Sequence, residues 1–246
     1  MSIPGVMKYV RRALDLVGYD LVKRDHMRYG VDILQDVKRL ANRSQHKIEI
    51  CFDVGANIGQ TSQQMVRAFP DATIHAFEPV TETYDRLVEN VAKNQRIITY
   101  NYALGERSGS AEIEVFAQSE LSSIAAQSPF ITTYGERKSV ESIGIKSLDD
   151  FCASKNIDNI DYLKIDTEGY DLNVLRGGTR ALERGIPFVS VEFYRFESDT
   201  SGTGLSDFES LFLPLHYRCV STYVDHIHID KDWLIVANAL FVWRPK

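Results

Sequence analysis

The sequence predicts an α/β domain of the Rossmann-like kind, with an open, mainly parallel seven-stranded sheet flanked by helices. Three observations lead to this prediction. From residue 48 onward, short apolar runs alternate with stretches of helical periodicity. A turn containing glycines follows the first apolar run. The chain has 246 residues, 44% of them hydrophobic, which is enough for one sizeable core.

The predicted elements form a β-α-β-α-β series, an interruption and a second α/β series. The first series has strands over 48–54, 72–77 and 97–102, and helices over 60–69 and 81–93. The interruption, 108–147, has strands over 111–116 and 140–145 around a polar, serine-rich loop, 118–134. The second series has strands over 162–165, 188–193, 217–223 and 239–243, and helices over 171–184 and 205–213. Right-handed crossovers would place the helices on both faces of the sheet. We expect the long loop, 118–134, to act as a lid.

Residues 1–46 are predicted to form a helical extension ahead of a single domain, 47–246. Apolar residues recur there at helical spacing, with Lys8, Arg11 and Arg12 off that stripe, and they are Val6, Val10, Ala13, Leu14 and Val17. We expect a helix that packs on the domain or joins two copies of the chain in a homo-oligomer. A basic amphipathic helix on a membrane surface is the alternative.

Charge and composition exclude several classes of partner. The net charge of −6 argues against an electrostatic grip on nucleic acid, which needs a clustered basic face. No apolar run approaches the roughly 18 residues of a membrane-spanning helix, and the N-terminus lacks the apolar core of a secretory signal. The three cysteines, at positions 51, 152 and 219, lack metal-ligand spacing. We therefore expect a cytoplasmic protein with reduced thiols and no stable membrane insertion.

The turn after the first predicted strand is the most informative stretch of the sequence. Gly55, Asn57 and Gly59 follow Asp53 there, and glycines let the backbone bend sharply and let a ligand approach it. Glu78 follows the second strand, where a carboxylate can accept hydrogen bonds from both hydroxyls of an adenosine ribose. The turn and Glu78 together predict an adenosine-containing ligand.

The same turn distinguishes between two such ligands. A dinucleotide site favours the pattern G-x-G-x-x-G, because the pyrophosphate contacts backbone amides at a helix N-terminus. Here the middle glycine is missing, and Asp53 would repel a pyrophosphate. S-adenosyl-L-methionine has no phosphate and carries two cationic groups that Asp53 would attract. We therefore predict S-adenosyl-L-methionine as the cofactor, with an NAD-dependent oxidoreductase as the alternative.

Six separate segments resemble the FkbM family of methyltransferases. They are FDVGANIGQ (52–60), HAFEPV (75–80), NYALGERSG (101–109), the serine pair at 122–123, IKSLDDF (145–151) and LKIDTEGYDLNVLRGG (163–178). The resemblance covers roughly residues 48 to 243. It implies a class I methyltransferase fold and, usually, O-methylation of sugars or natural products, so that the partner would be a small-molecule or saccharide acceptor. A member that binds the cofactor without turnover is a further alternative.

Other candidate residues end the remaining predicted strands, where ligands bind in such folds. Asn101 could meet the edge of the adenine, and Ala103 could give it an apolar contact. Asp166 and Glu168 follow the strand 162–165, and Glu192 ends another strand. Clustered carboxylates raise one another's pKa and suit a general base near neutral pH. We predict these three acids to be catalytic, with Asp166 or Glu192 accepting the proton of the acceptor hydroxyl; helix capping is an alternative role for Asp166 and Glu168.

Two further patterns contain residues that suit a metal or base site. His226 and His228 would share one face of a strand, although such pairs are more often simply polar faces. Carboxylates of Asp166, Glu168 and Glu192 could ligate a divalent cation by their chemistry. Their spacing does not require one, so no metal is assigned.

Overall fold

The computed structural model describes residues 3–18, 27–116, 137–196, 204–228 and 234–245. Within these ranges the helices are α1 (Ile3–Leu16), α2 (Ile33–Ser44), α3 (Gln60–Ala68), α4 (Thr81–Val91), α5 (Leu148–Lys155), α6 (Asp171–Arg176), α7 (Thr179–Arg184) and α8 (Leu205–Phe212). The strands are β1 (Ile50–Val54), β2 (Thr73–Phe77), β3 (Ile97–Tyr100), β4 (Ala103–Gly105), β5 (Gly109–Phe116), β6 (Arg137–Ser147), β7 (Tyr162–Ile165), β8 (Phe188–Phe196), β9 (Tyr217–His228) and β10 (Leu234–Trp243). The predicted loop 118–134 lies outside the described residues.

Seven strands form the main sheet, in the order β3-β2-β1-β7-β8-β10-β9. The pairs from β3 through β8 are parallel, and β10 runs antiparallel to both of its neighbours. Apart from Asp53 and Lys164, the central strands β1 and β7 are apolar, and both are almost entirely buried, as expected of a parallel sheet covered on both faces. The prediction of an open, mainly parallel seven-stranded sheet flanked by helices is therefore confirmed.

Apolar layers cover both faces of this sheet. On one face, Phe52 of β1 meets Phe151 of α5 edge-on, with ring centroids 5.5 Å apart. On the other face, Ile74 of β2 belongs to a buried cluster with Met65 of α3 and Val37 of α2. These two layers hold the strand ends in fixed positions. None of the described helices has the length and apolar character needed to cross a bilayer.

Helix α2 is an integral part of the core, although it lies in the predicted N-terminal extension. It begins after Asp32, whose side chain accepts a hydrogen bond from Gln35 N and caps the helix. At the buried face, Tyr223 Oη donates to Asp36 Oδ2 at 2.8 Å and joins α2 to β9. The division of the chain between residues 46 and 47 remains a prediction.

The main difference from the predicted elements is a second, three-stranded sheet in the order β4-β6-β5. The predicted third strand, 97–102, ends at Tyr100, because the chain turns at Asn101, whose side-chain amide donates to the carbonyls of Glu78 and Pro79. The chain then pairs Ala103–Gly105 in parallel with Ile145–Ser147. The predicted strands 111–116 and 140–145 form the antiparallel remainder of this sheet.

The predicted helix 171–184 is interrupted and forms the two short helices α6 and α7. Gly177 lies at the break, against the backbone of β4. A Cβ atom at Gly177 would lie 1.9 Å from Gly105 O, so this close approach admits only glycine. The interruption therefore fixes the second sheet against the main domain.

Candidate active site

A cavity lies at the carboxyl ends of β1, β2 and β7. The chain leaves β1 towards β2 on one side, whereas β7 pairs with β1 on the other side, and ligands bind at such switch points in open α/β sheets. The cavity has about 720 Å³ of empty space, part of it open to solvent. Six of the predicted site residues line it, namely Gly55, Asn57, Glu78, Ala103, Asp166 and Glu168. The structure therefore brings these six residues together around one cavity.

The turn between β1 and α3 forms one wall of the cavity. Gly55 has a φ of +74°, and a Cβ atom there would lie 1.9 Å from Asp166 O. The turn thus passes directly over the end of β7, which no larger residue would allow. Asn57, with a φ of +48°, directs its backbone N–H at Glu78. Gly59 precedes α3 and does not line the cavity.

Glu78 is held rigidly at the edge of the cavity. Its Oε2 accepts a hydrogen bond from Asn57 N at 3.1 Å, and its Oε1 accepts one from Val80 N at 3.0 Å. Burial raises the pKa of Glu78 to about 7, against the opposing effect of these two N–H groups. Each carboxylate oxygen retains a further lone pair, so the group can accept two hydroxyl donors from a ligand.

Asp53 lies outside the lining of the cavity, so its predicted contact with the cofactor stays a prediction. Its carboxylate is fully buried, Ser62 Oγ donates to Oδ2 at 2.6 Å, and Lys164 Nζ lies 3.1 Å from Oδ1. Its charge is therefore paired inside the protein. Asp53 supports the turn from below, through Lys164, whose ammonium also donates to Gly55 O at 3.0 Å.

Asn101 and Ala103 have different environments. Asn101 is exposed, and its amide is engaged by the carbonyls of Glu78 and Pro79, so it shapes the turn beside the cavity. Ala103 is buried and lines the cavity together with Leu104. The predicted apolar contact is thus available at Ala103, whereas the geometry places Asn101 outside the lining.

Three carboxylates meet on the other side of the cavity. Asp166, Glu168 and Glu192 each have an oxygen within 4.8 Å of the others. Tyr194, which the sequence reasoning missed, donates its hydroxyl to Glu192 Oε2 at 2.5 Å and lies 3.1 Å from Glu168 Oε2. Asp166 and Glu168 line the cavity, whereas Glu192 is 8% exposed and lies behind them.

Burial and mutual repulsion alter the acidity of this group. Burial, and then the charge of Asp166, raise the pKa of Glu168 to about 8. The same two causes raise the pKa of Glu192 well above its usual value. Glu168 has a left-handed backbone, with a φ of +52°, a strained conformation that tends to occur at functional sites.

Asp171 and Lys164 support the group and were also missed by the sequence reasoning. Asp171 Oδ2 accepts from Thr167 N and Oγ1, and its Oδ1 accepts from Glu192 N at 2.9 Å. Lys164 Nζ lies 3.4 Å from Asp166 Oδ2. Burial lowers the pKa of Lys164, but Asp53 and Asp166 raise it more, so the ammonium stays charged. A lysine inside an otherwise apolar strand was the signal for such a pair.

We expect the folded chain to lose stability as the pH rises from about 6.5 to about 8.5. The folded-state pKa values of Glu78, Glu168 and Glu192 are raised, so the stability that they contribute is complete below their unfolded values and disappears as the pH passes the folded ones. This window lies above the pH range in which His75 affects stability. Burial lowers the pKa of His75 to about 4, so this residue reduces the stability of the folded chain only below about pH 6.5. Differential scanning calorimetry should show a Tm at least about 5 °C lower at the upper pH.

The variant Glu168→Gln/Glu192→Gln should reduce this pH dependence, because the amides do not titrate. The matched change at an exposed acid of α4, Glu89→Gln, should leave it unchanged. A Tm of the wild-type chain that stays constant or rises across this window would contradict the prediction.

The carboxylate group could also ligate a divalent cation. Its three oxygens are of the kind that Mg²⁺ and Ca²⁺ prefer and lie close enough to share one ion. His226 and His228 lie in β9, opposite Val236 and Leu234. Their role as a metal or base site stays a hypothesis.

Comparison with known proteins identifies the family. Residues 53–229 match the methyltransferase FkbM domain. The chain is 31% identical over 205 residues to the hexuronic acid methyltransferase AglP of Haloferax volcanii, covering 82% of this chain and 75% of AglP. It is 24% identical over 153 residues to the 2-O-methyltransferase NoeI of Sinorhizobium fredii, covering 58% of this chain and 63% of NoeI.

Among solved structures, the chain is similar to M. jannaschii TYW2 in complex with AdoMet. That similarity has a TM-score of 0.42 and 12% identity, over 94% of this chain and 81% of the other. The family match decides against the NAD-dependent oxidoreductase alternative and confirms the resemblance seen in the sequence. The chain belongs to the FkbM family of methyltransferases, and its cofactor is S-adenosyl-L-methionine.

Proposed function

We propose that this chain transfers a methyl group to a hydroxyl oxygen of a saccharide. One observation carries the proposal: Glu78, which is suited to ribose hydroxyls, and the acids Asp166 and Glu168 line the same cavity. The relatives AglP and NoeI, by their names a hexuronic acid methyltransferase and a 2-O-methyltransferase, support a sugar hydroxyl as the acceptor.

The residues present fit the cofactor. Glu78 offers two fixed carboxylate oxygens to the ribose, and Ala103 and Leu104 offer an apolar wall. Gly55 lines the cavity without a side chain that would fill it. When bound, S-adenosyl-L-methionine supplies an electrophilic methyl group.

Glu168 is our candidate for the general base. An alcohol is a weak nucleophile until a base can accept its proton, and a base with a pKa close to the working pH is the most effective. Glu168 lines the cavity and has a pKa of about 8, whereas Asp166 already faces the Lys164 ammonium. Glu192 lies behind the cavity, where its hydrogen bond from Tyr194 orients the hydroxyl that also contacts Glu168.

The proposed function can be tested with a labelled methyl donor. The panel of acceptors should contain neutral glycosides, glycosides of hexuronic acids and small hydroxylated natural products. We expect methylation of one of the saccharide classes, with the label in an alkali-stable ether. Turnover of natural products alone, or of no acceptor while the donor binds, would contradict the proposal.

We expect the substitution Glu78→Ala to weaken the binding of S-adenosyl-L-methionine about tenfold to a hundredfold, because the ribose loses hydrogen bonds to a charged group, worth about 1.5–3 kcal/mol. Calorimetric titration measures this directly, and the wild-type chain titrated with NAD should give no heat. The matched control is Glu89→Ala, an exposed acid of α4. Unchanged affinity in Glu78→Ala would remove Glu78 from the cofactor site.

A further inference from the structure

Helix α1 presents an apolar surface to solvent on one of its sides. Tyr9 is 68% exposed, Leu16 is 83% exposed, and Val10 and Ala13 are exposed as well. At about 100° per residue, these four positions fall within an arc of about 120°. Val17, in the turn that follows, is 66% exposed. Large apolar side chains grouped on one side of an exposed helix indicate a surface that another partner covers.

The side of α1 next to this apolar arc is basic. Lys8 and Arg12 are exposed there, and the helix carries three cations against the single acid Asp15. The chain as a whole has a net charge of −6, so this local positive charge contrasts with the rest of the molecule. A partner that covers the apolar side and attracts the flanking cations is apolar inside and anionic at its surface.

We propose that α1 lies in the surface of an anionic lipid bilayer and anchors the enzyme there peripherally. A helix with an apolar side and a cationic side is typical of interfacial binding, in which the apolar side enters the boundary between headgroups and acyl chains. Pairing with a second copy would cover the apolar side as well. It would leave the basic side without any role, whereas an anionic bilayer uses both sides.

The test is co-sedimentation of the full chain with phosphatidylcholine vesicles, with and without phosphatidylglycerol. We expect binding to the vesicles that contain phosphatidylglycerol, and weaker binding as the ionic strength rises. The change Lys8→Gln/Arg12→Gln should weaken binding about 25-fold, since each cation near an anionic surface contributes roughly fivefold. The matched control Arg86→Gln/Lys93→Gln removes two exposed cations of another region and should bind as the wild type does.

The apolar side is tested separately with Val10→Glu/Leu16→Glu. We expect this variant to remain in the supernatant. The control Val88→Glu/Leu213→Glu introduces the same charges at exposed apolar residues elsewhere, where Val88 is 40% exposed, as Val10 is. Methyl-donor affinity should be unchanged in every variant, which shows that each chain is folded.

Two results would overturn the proposal. If the wild-type chain stays in the supernatant and sedimentation velocity finds a dimer that Val10→Glu/Leu16→Glu dissociates, the apolar side joins two copies of the chain. If the wild-type chain neither binds vesicles nor forms dimers, α1 has neither partner. Both results are independent of the proposed acceptor, because neither measurement involves turnover.

Discussion

Replacing Glu168 by glutamine should lower kcat by about 100-fold or more, because a positioned base contributes about 100- to 10,000-fold. The amide keeps the size of the side chain and its contact with Tyr194, so donor affinity should change little. In the wild-type enzyme kcat should rise with pH and level off above about 8, as Glu168 loses its proton. This rise should be absent in the variant. Single-turnover methylation at several pH values, with donor binding measured separately, checks the prediction.

The other two acids of the group serve as comparisons. A wild-type rate in Glu168→Gln, together with a large loss in Asp166→Asn or Glu192→Gln, would transfer the role of base to that residue. If Asp166→Asn instead abolishes donor binding, Asp166 holds the cofactor. Activity that is lost in EDTA and restored by Mg²⁺ would make the group a metal site, because its oxygens lie close enough to share one ion.

The second large effect is expected at Lys164. The substitution Lys164→Met should lower the free energy of unfolding by about 3–5 kcal/mol, because it leaves the fully buried carboxylate of Asp53 without its cation. Denaturant unfolding measures this loss. The double variant Asp53→Asn/Lys164→Met should recover most of it, since no charge then remains unpaired.

The control for Lys164 is Lys93→Met, which removes an exposed lysine and should have an effect within about 0.5 kcal/mol. Equal stability of Lys164→Met and the wild type would show that Asp53 is not held by this pair. A double variant that is no more stable than Lys164→Met would show that the lysine acts chiefly through Gly55 O or Asp166.

The sequence was sufficient for the main sheet and for the position of the cavity. Each strand of the first series is a short apolar run closed by a turn, and in β1 and β7 the run ends directly before residues of the site. Because parallel strands end at the same edge of the sheet, the acids and glycines that follow them must lie close together at that edge. Glu78 and Asp166 could therefore be predicted together, although 88 residues separate them in the chain.

Contacts between residues that are far apart in the sequence could not be predicted in the same way. Nothing near Lys164 in the sequence indicates that its ammonium lies 3.1 Å from the carboxylate of Asp53, so the sequence alone predicts only a ligand as the partner of Asp53. Strand β4 is three residues long and has no periodicity of its own, and its pairing with β6 depends on a turn fixed by the side chain of Asn101. Contacts between distant segments, rather than local propensity, determine such elements.

The contact between Gly55 and the carbonyl of Asp166 has a consequence for engineering the acceptor specificity. A side chain at position 55 would displace the turn that carries Asp166 and Glu168. The turn beside the methyl donor and the carboxylate group can therefore be altered only together. Ile113 of β5 lines the cavity from the second sheet, and it belongs to the same buried cluster as Ala103, which we assign to the cofactor. Variants made to change the acceptor should therefore keep both the turn over β7 and this apolar wall as they are.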